Sequence, residues 1–186
     1  MVYSKNCFGY FYRNARCFHS LKTPRTVSII SVPINLGQPR LGPDLTPAAL
    51  FDHGLIDVIT SCDWRVEQVN SSYSFRSDDP YIDTSNINAK NIIEVGQVCE
   101  LLKHEVTREI LKDRFILILG GDHCLPIGSI PAIMEARPNT GIIWVDAHAD
   151  LNTPTASISG NMHGMPLGFL TGLVENAKSL PSFNWF

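Results

Sequence analysis

Two short apolar runs, each followed at once by aspartate and histidine, constrain the fold of this chain more than any other feature. "FILIL" (residues 115–119) leads into "GGDH" (120–123), and "GIIWVD" (141–146) leads into "AHAD" (147–150). Short runs that are apolar throughout are typical of strands buried on both faces of a parallel sheet. In open α/β sheets, ligands bind beyond the carboxyl ends of the strands. The sequence therefore predicts a parallel sheet with a polar site at that edge.

The rest of the chain supplies the other elements that an α/β fold needs. "TVSIISVPI" (26–34) predicts a buried first strand, and "DWRVEQVN" (63–70) predicts a second. A helix is expected to begin near Pro47 and to run through "PAALFDHGLIDVI" (47–59), because proline favours the first helical turn. Apolar residues recur every three or four positions across Asn91–Lys112, which predicts a long helix. Strands that alternate with helices in this way favour parallel βαβ units.

Composition and charge exclude several classes of protein. The chain has 186 residues, is 44% hydrophobic and carries a net charge of −3. No apolar run approaches the roughly 18 residues that a membrane span needs, and lysines and arginines do not cluster as in a nucleic-acid interface. Because the five cysteines are scattered, odd in number and without a CxxC pair, they predict a reducing compartment, with neither a disulfide framework nor a zinc–thiolate site. These cysteines are Cys7, Cys17, Cys62, Cys99 and Cys124.

The first 25 residues differ from the remainder. They carry five basic residues and no acidic one, and the first acidic residue is Asp44. A basic leader that contains serine and lacks acids is typical of a mitochondrial presequence. The alternative is a disordered leader with no targeting role, in which case the cytoplasm is expected. We therefore predict a leader over residues 1–25 and a single domain over residues 26–186.

The residues behind the two apolar runs are suited to bind metal. In an extended segment Asp146, His148 and Asp150 would project to the same side, and His123 would approach from the neighbouring turn. Imidazole and carboxylate ligands without a thiolate suit Mn²⁺, Fe²⁺ or Zn²⁺ better than Ca²⁺ or Cu⁺. Two adjacent carboxylates also allow two ions to share one of them. The alternative for the DxHxD triplet alone is a solvated loop or a hydrogen-bonded turn.

Four segments together resemble the ureohydrolase family, and within it the arginases. They are "GGDH" (120–123), "WVDAHADLNTP" (144–154), "SGNMHGMPL" (159–167) and the opening loop "GQPRLGPDLTPAAL" (37–50). The resemblance implies a three-layer αβα fold in which strands two, one and three are consecutive. Two later strands would separate the third strand from the fourth. Residues 26–186 would be the N-terminal part of a single catalytic domain of this kind, roughly its first four strands, so the third and fourth strands would expose unpaired edges.

The resemblance also implies a site with two Mn²⁺ ions. His123, Asp146 and Asp150 would bind one ion, and Asp146 and His148 would bind the other, with Asp146 as the bridge. A hydroxide activated by both ions would attack the guanidinium carbon of L-arginine, giving L-ornithine and urea. The later DxD segment that completes both metal sites in this family is not found in the sequence.

Further roles follow from the same resemblance. His163 would shuttle protons, which imidazoles do well near neutral pH. Three residues would bind the α-carboxylate of the substrate: Asn152, Ser159 and Asn161. The alternatives are an Asx turn at Asn152 and a purely structural loop at Ser159 and Asn161. Asp122 is expected to orient His123 or its loop rather than to bind metal, and Cys124 stands where the family usually has serine.

Three functional hypotheses remain open at this point. The first is manganese-dependent hydrolysis of L-arginine, with a homotrimer in the full-length form and no nucleic-acid or membrane partner. The second is another ureohydrolase activity, such as that of an agmatinase. The third is a shortened, catalytically inactive chain, and we expect this chain to be inactive by itself.

Overall fold

The computed structural model describes residues 25–69, 73 and 84–186. Three strands form one parallel sheet: β1 (Thr26–Val32), β2 (Arg65–Val69) and β3 (Phe115–Gly120). Their order is β2-β1-β3, so β1 lies at the centre. This parallel arrangement, with strands two, one and three consecutive, agrees with the predicted α/β fold.

Helices lie on both faces of this sheet. The described residues form α1 (Thr46–Asp52), α2 (Leu55–Ser61), α3 (Ile92–Ile110), α4 (Pro126–Ala136) and α5 (Pro166–Leu170). Short 3-10 turns occur at Pro43–Leu45, Met162–Gly164 and Ala177–Ser179. In the part of the chain that the structure describes, no helix is both long and apolar enough to cross a membrane.

The central strand β1 buries apolar side chains on both faces of the sheet. Val27 and Ile29 pack on one face of the sheet, in a cluster that also contains side chains from α1 and α2. Ile30 and Val32 pack on the other face, in the larger cluster that contains α3 and α4. Because both faces of β1 are covered, alternation between polar and apolar residues is lost. Of its polar residues Thr26, Ser28 and Ser31, Ser28 is buried, and its hydroxyl donates a hydrogen bond to Glu109 of α3.

Helix α3 carries the apolar stripe predicted for residues 91–112, and α4 packs closely against it. The approach requires a glycine, because a Cβ at Gly128 would lie 2.2 Å from the carbonyl oxygen of Cys99. The buried side chains of the stripe are those of Ile92, Val95, Val98, Cys99, Leu102, Val106 and Ile110.

The predicted fourth strand does not form. Residues 141–146 have no strand pairing, and Ile143 and Val145 are 80% and 91% exposed. Backbone N–H and C=O groups of a strand need a partner strand, and among the described residues β3 pairs only with β1. The prediction of a buried strand over residues 141–146 is therefore wrong, because no strand among the described residues pairs with this segment. Its exposed apolar side chains agree with the expectation of unpaired edges.

Two helix predictions also need correction. The helix expected over residues 47–59 is divided into α1 and α2, because the backbone at Gly54 adopts a left-handed conformation with φ of 83°. Helix α4 was not predicted, since its interior Pro131 is a residue that usually ends a helix. Residues 1–24 of the predicted leader, which include Cys7 and Cys17, lie outside the described residues, and the leader's boundaries stay a prediction. Cys62, Cys99 and Cys124 are free thiols.

Candidate functional site

A cluster of one imidazole and two carboxylates lies beyond the carboxyl end of β3. His123 follows β3 in the turn that leads to α4, and its Nε2 lies 3.2 Å from Asp146 Oδ2 and 3.0 Å from Asp150 Oδ2. One ligand atom from each of the three residues lies within 4.8 Å of the others. The Trp144 ring packs edge-on against the His123 ring at 5.3 Å. Three residues from two separate segments thus converge on one point.

The two oxygens of Asp146 face different partners. Oδ2 faces His123, while Oδ1 accepts a hydrogen bond from the backbone N–H of His148 at 2.8 Å. That hydrogen bond, together with the nearby imidazoles of His123 and His148, lowers the pKa of Asp146 against a smaller opposing effect of burial. The carboxylate is therefore held in its ionised form, which is the form that binds cations.

His148 does not join this cluster. Its Nδ1 lies 3.6 Å from Asp146 Oδ1, and its side chain is 82% exposed. The prediction that residues 146, 148 and 150 project to the same side assumed a straight extended segment. Instead the chain bends at residues 147–148, and Asp150 adopts a left-handed backbone conformation with φ of 47°. The bend brings Asp150 to His123 and leaves His148 at the surface.

Asp150 is held in place by the loop around α5. The residue is buried, and its carbonyl accepts a hydrogen bond from the N–H of Gly168 at 3.2 Å. The N–H of Asn152 bonds the carbonyl of Gly164 at 3.1 Å. A Cβ at Gly168 would lie 2.1 Å from the Asn152 carbonyl oxygen, so this approach tolerates only glycine. The segment from residue 164 to 168 thus braces the backbone that carries Asp150.

An open cleft of about 460 Å³ adjoins the cluster through Asp150. His163 also lines this cleft, and its Nδ1 lies 2.9 Å from the Gly37 carbonyl oxygen. Since a carbonyl only accepts hydrogen bonds, Nδ1 of His163 carries the proton in this contact, and in the neutral ring Nε2 carries the lone pair. The residues around the cleft are His148, Asp150, Leu151, Asn152, His163 and Gly164.

Three residues were predicted to bind the α-carboxylate of the substrate. Asn152 lines the cleft, whereas Ser159 and Asn161 are not among its lining residues. Asn152 Oδ1 accepts the N–H of Thr153 at 3.1 Å, so the residue does make a local backbone contact. Ser159 Oγ accepts the N–H of Asn161 at 3.3 Å, and Asn161 Oδ1 accepts a hydrogen bond from Lys90 Nζ at 3.3 Å. The positions of Asn152, Ser159 and Asn161 are compatible with a local structural role and with a substrate-binding role.

The segment at residues 88–91 braces the loop that carries Ser159 and Asn161, and sequence reasoning missed it. The N–H of Lys90 bonds the carbonyl of Gly160 at 2.8 Å, and Asn88 Nδ2 bonds the carbonyl of Ser157. Asn91 Nδ2 bonds the carbonyl of Leu36 at 2.7 Å. These residues precede α3 in a stretch without periodicity, so no pattern in the sequence indicated them.

Comparison with known proteins gives a consistent result. The arginase family model matches residues 25–181. The arginase of Staphylococcus aureus (strain MRSA252) is 41% identical over 158 residues, which cover 85% of this chain and 52% of that protein. Human Arginase-1 is 37% identical over 166 residues, covering 87% of this chain and 49% of that protein. The chain thus spans about half the length of the curated relatives it matches.

Solved structures agree with the sequence matches. The crystal structure of the Bacillus subtilis (strain 168) arginase superposes with a TM-score of 0.68 at 38% identity, covering 77% of this chain and 47% of that one. The native Bacillus caldovelox arginase gives a TM-score of 0.68 at 34% identity, with 77% and 48% of the two chains covered. Because the family match extends over most of the chain and includes every residue of the His–Asp cluster, the chain belongs to the arginase family.

Proposed function

We propose that this chain supplies the first part of a manganese site that hydrolyses L-arginine to L-ornithine and urea. The convergence of His123, Asp146 and Asp150 on one point at the sheet edge carries this proposal. Arginase homologues support the same reaction. Because the chain spans about half of those relatives, the activity is assigned to an assembled site and not to these residues alone.

The donor set fits manganese. One imidazole nitrogen and two carboxylate oxygens are ligands that Mn²⁺ accepts, and no cysteine belongs to the cluster. His123, Asp146 and Asp150 would hold one ion. Asp146 Oδ1 points to His148, so these two residues would contribute to a second ion beside the first. Bound ions would supply the Lewis acidity that activates water for attack on a guanidinium carbon.

In this proposal His163, which lines the same cleft, moves protons. Its Nδ1–H is directed to the Gly37 carbonyl, so Nε2 accepts and returns the proton. A positioned imidazole of this kind contributes about 10²–10⁴-fold to a reaction rate. The proton would pass to the leaving amine when the tetrahedral intermediate collapses.

The neutral amides and hydroxyl on the neighbouring loop support an amino acid as substrate. Asn152, Ser159 and Asn161 offer N–H and O–H donors to an α-carboxylate, and the Lys90 ammonium beside Asn161 adds positive charge. Such a site penalises the decarboxylated amine, since its polar groups would then stay unpaired. This argument favours arginine over agmatine.

Metal binding tests the first half of the proposal. We expect the chain to bind Mn²⁺, measured by the loss of the free-ion electron paramagnetic resonance signal, and Asp150→Asn to abolish that binding. Asp57→Asn, in the first turn of α2, is the matched control and should bind as the parent does. Equal Mn²⁺ affinity in the Asp150 variant and the parent would refute the assignment of the ligands.

Hydrolysis tests the second half. In a chimera, residues 25–181 replace the matching part of the Staphylococcus aureus arginase, and ornithine and urea are measured. The chimera should hydrolyse arginine in preference to agmatine, and His163→Ala should bind Mn²⁺ normally while turnover falls by roughly 10²–10⁴-fold. A chimera that binds Mn²⁺ but prefers agmatine would favour the second ureohydrolase hypothesis instead.

A further inference from the structure

The turn that presents His123 also contains a carboxylate that the proposed chemistry does not use. Asp122 is 4% exposed. Its Oδ2 accepts the backbone N–H groups of Leu36 at 3.1 Å and Gly37 at 2.7 Å, and its Oδ1 accepts the N–H of Cys124 at 3.1 Å. A buried carboxylate with three N–H donors is fully satisfied by charge-assisted hydrogen bonds. Asp122 therefore joins the opening loop to the end of β3.

The same opening loop contacts His163 on its other side. The Gly37 carbonyl accepts two hydrogen bonds from one residue, the backbone N–H of His163 at 3.0 Å and its Nδ1 at 2.9 Å. Gly37 is confined between Asp122 and His163, because a Cβ there would lie 2.6 Å from Asp122 Oδ1 and 3.0 Å from the backbone nitrogen of His163. A shift of Gly37 would therefore displace the carbonyl that accepts the hydrogen bond of the His163 imidazole.

We propose that Asp122 is a positioning residue for His163, acting through Gly37. By fixing the loop, the Asp122 carboxylate keeps the Gly37 carbonyl within reach of His163 Nδ1. The neutral imidazole is thereby held as its Nδ1–H tautomer, with the lone pair on Nε2. The inference rests on the proposed function only for its catalytic meaning, since the tautomer can be measured without metal or arginine.

Asp122→Asn is a sharp test because it changes one atom. In the parent, both oxygens of Asp122 face N–H donors. The asparagine amide of the variant has one oxygen and one NH₂ group. The NH₂ group must therefore oppose either the Cys124 N–H or those of Leu36 and Gly37, which breaks at least one contact. Asp44→Asn is the matched control, since Asp44 lies in the same loop and, among the described residues, its Oδ1 accepts one hydrogen bond, from the Gly42 N–H at 3.2 Å.

The experiment is long-range ¹H–¹⁵N correlation of the histidine rings in the metal-free full chain at mildly alkaline pH, with His163 assigned from His163→Gln. Magic-angle spinning gives the same shifts if the chain self-associates. The parent and Asp44→Asn should show the Nδ1–H tautomer. Asp122→Asn should lose about tenfold of that preference, the equivalent of roughly one hydrogen bond.

Gly37→Ala is a second variant that keeps the test decisive if Asp122→Asn does not fold, and it should show the same loss of the Nδ1–H form. An Nε2–H tautomer in the parent, or an unchanged tautomer in both variants, would overturn the inference. These outcomes are separate from those of the proposed function, because failure to hydrolyse arginine leaves the tautomer result intact.

Discussion

The hydroxyl of Ser28 donates a 2.7 Å hydrogen bond to the carboxylate of Glu109, although 81 positions separate the two residues in the sequence. Ser28 lies on β1 and Glu109 near the end of α3. Glu109 is 1% exposed and also contacts Lys112 Nζ at 2.6 Å and Arg114 at 3.2 Å. This buried carboxylate fixes α3 against the sheet whose carboxyl edge carries the candidate site.

We expect Glu109→Gln to lower the free energy of unfolding by about 2 kcal/mol at neutral pH. This is less than the roughly 3–5 kcal/mol lost when one partner of a fully buried ion pair is removed, because Lys112 stays partly hydrated. Urea denaturation measures this change. Glu67→Gln is the control: Glu67 is half exposed and lies 3.5 Å from Arg114, so its loss should cost at most about 1 kcal/mol.

The same carboxylate predicts a pH dependence. Burial raises the pKa of Glu109, but hydrogen bonds from Lys112 and Ser28 and the charges of Lys112 and Arg114 outweigh it, so the pKa lies below the ordinary value of 4.5. A depressed folded-state pKa stabilises the protein above the unfolded pKa, and the effect is lost as pH falls through the folded pKa. The stability gap between the parent and Glu109→Gln should therefore shrink as pH falls below about 4.5. A gap that widens with acid would contradict this account.

The fold was predictable where one element's own sequence decides it. β1, β3 and α3 carry continuous or periodic apolar residues, and all three form close to the predicted bounds. Residues 141–146 have an equally apolar pattern but form no strand, because pairing depends on a neighbour elsewhere in the chain. Local pattern cannot report whether that neighbour is present.

The candidate site was likewise predictable from the sequence only in part. The positions of His123, Asp146 and Asp150 at the ends of apolar runs predicted that they would converge, and they do. The exclusion of His148 depends on the backbone bend before Asp150, which residue spacing cannot show. The brace from Lys90 to Gly160 and the link from Asp122 to Gly37 join residues far apart in sequence, so only the tertiary structure revealed them.

Asp146 and His148, the proposed ligands of the second ion, should differ in their effect on Mn²⁺ binding. Asp146→Ala removes a group that faces both His123 and His148, so we expect Mn²⁺ binding to be lost entirely. His148→Ala removes an exposed ring outside the three-residue cluster, so one ion should still bind. Titration calorimetry with Mn²⁺ gives both stoichiometries, and a complete loss of binding in His148→Ala would show that our separation of the two sites is wrong.

Gly168 is expected to influence metal affinity without touching the metal. A Cβ at this position would meet the Asn152 carbonyl oxygen at 2.1 Å, and the Gly168 N–H holds the Asp150 carbonyl. Gly168→Ala should therefore displace Asp150 and weaken Mn²⁺ binding by about tenfold or more, the equivalent of one lost hydrogen bond. Gly141→Ala is the control, because no atom of the residues that the structure describes lies within 4 Å of its Cβ position. Equal affinity in the two variants would argue against the brace.

The leader is proposed to direct import into mitochondria, since residues 1–25 carry five basic residues and no acid. A fluorescent reporter fused behind these residues should enter mitochondria and lose the leader. Replacing Arg13 and Arg16 by glutamine should leave the reporter in the cytosol. A diffuse signal from the unaltered leader would rule the proposal out.

The last prediction concerns catalysis by residues 25–186 without any other polypeptide. Three ligand atoms converge within 4.8 Å, so binding of one Mn²⁺ ion is expected. Catalysis requires more, because reacting groups must be held to a fraction of an ångström and a misplacement near 1 Å can cost about a hundredfold in rate. Within the described residues no strand pairing joins residues 141–146 to β3, so the relative position of His123 and Asp146 is set only by loops and side-chain contacts. We expect Mn²⁺ binding without measurable urea formation. Arginine turnover that Asp150→Asn abolishes would show that these contacts alone position the site well enough for the reaction.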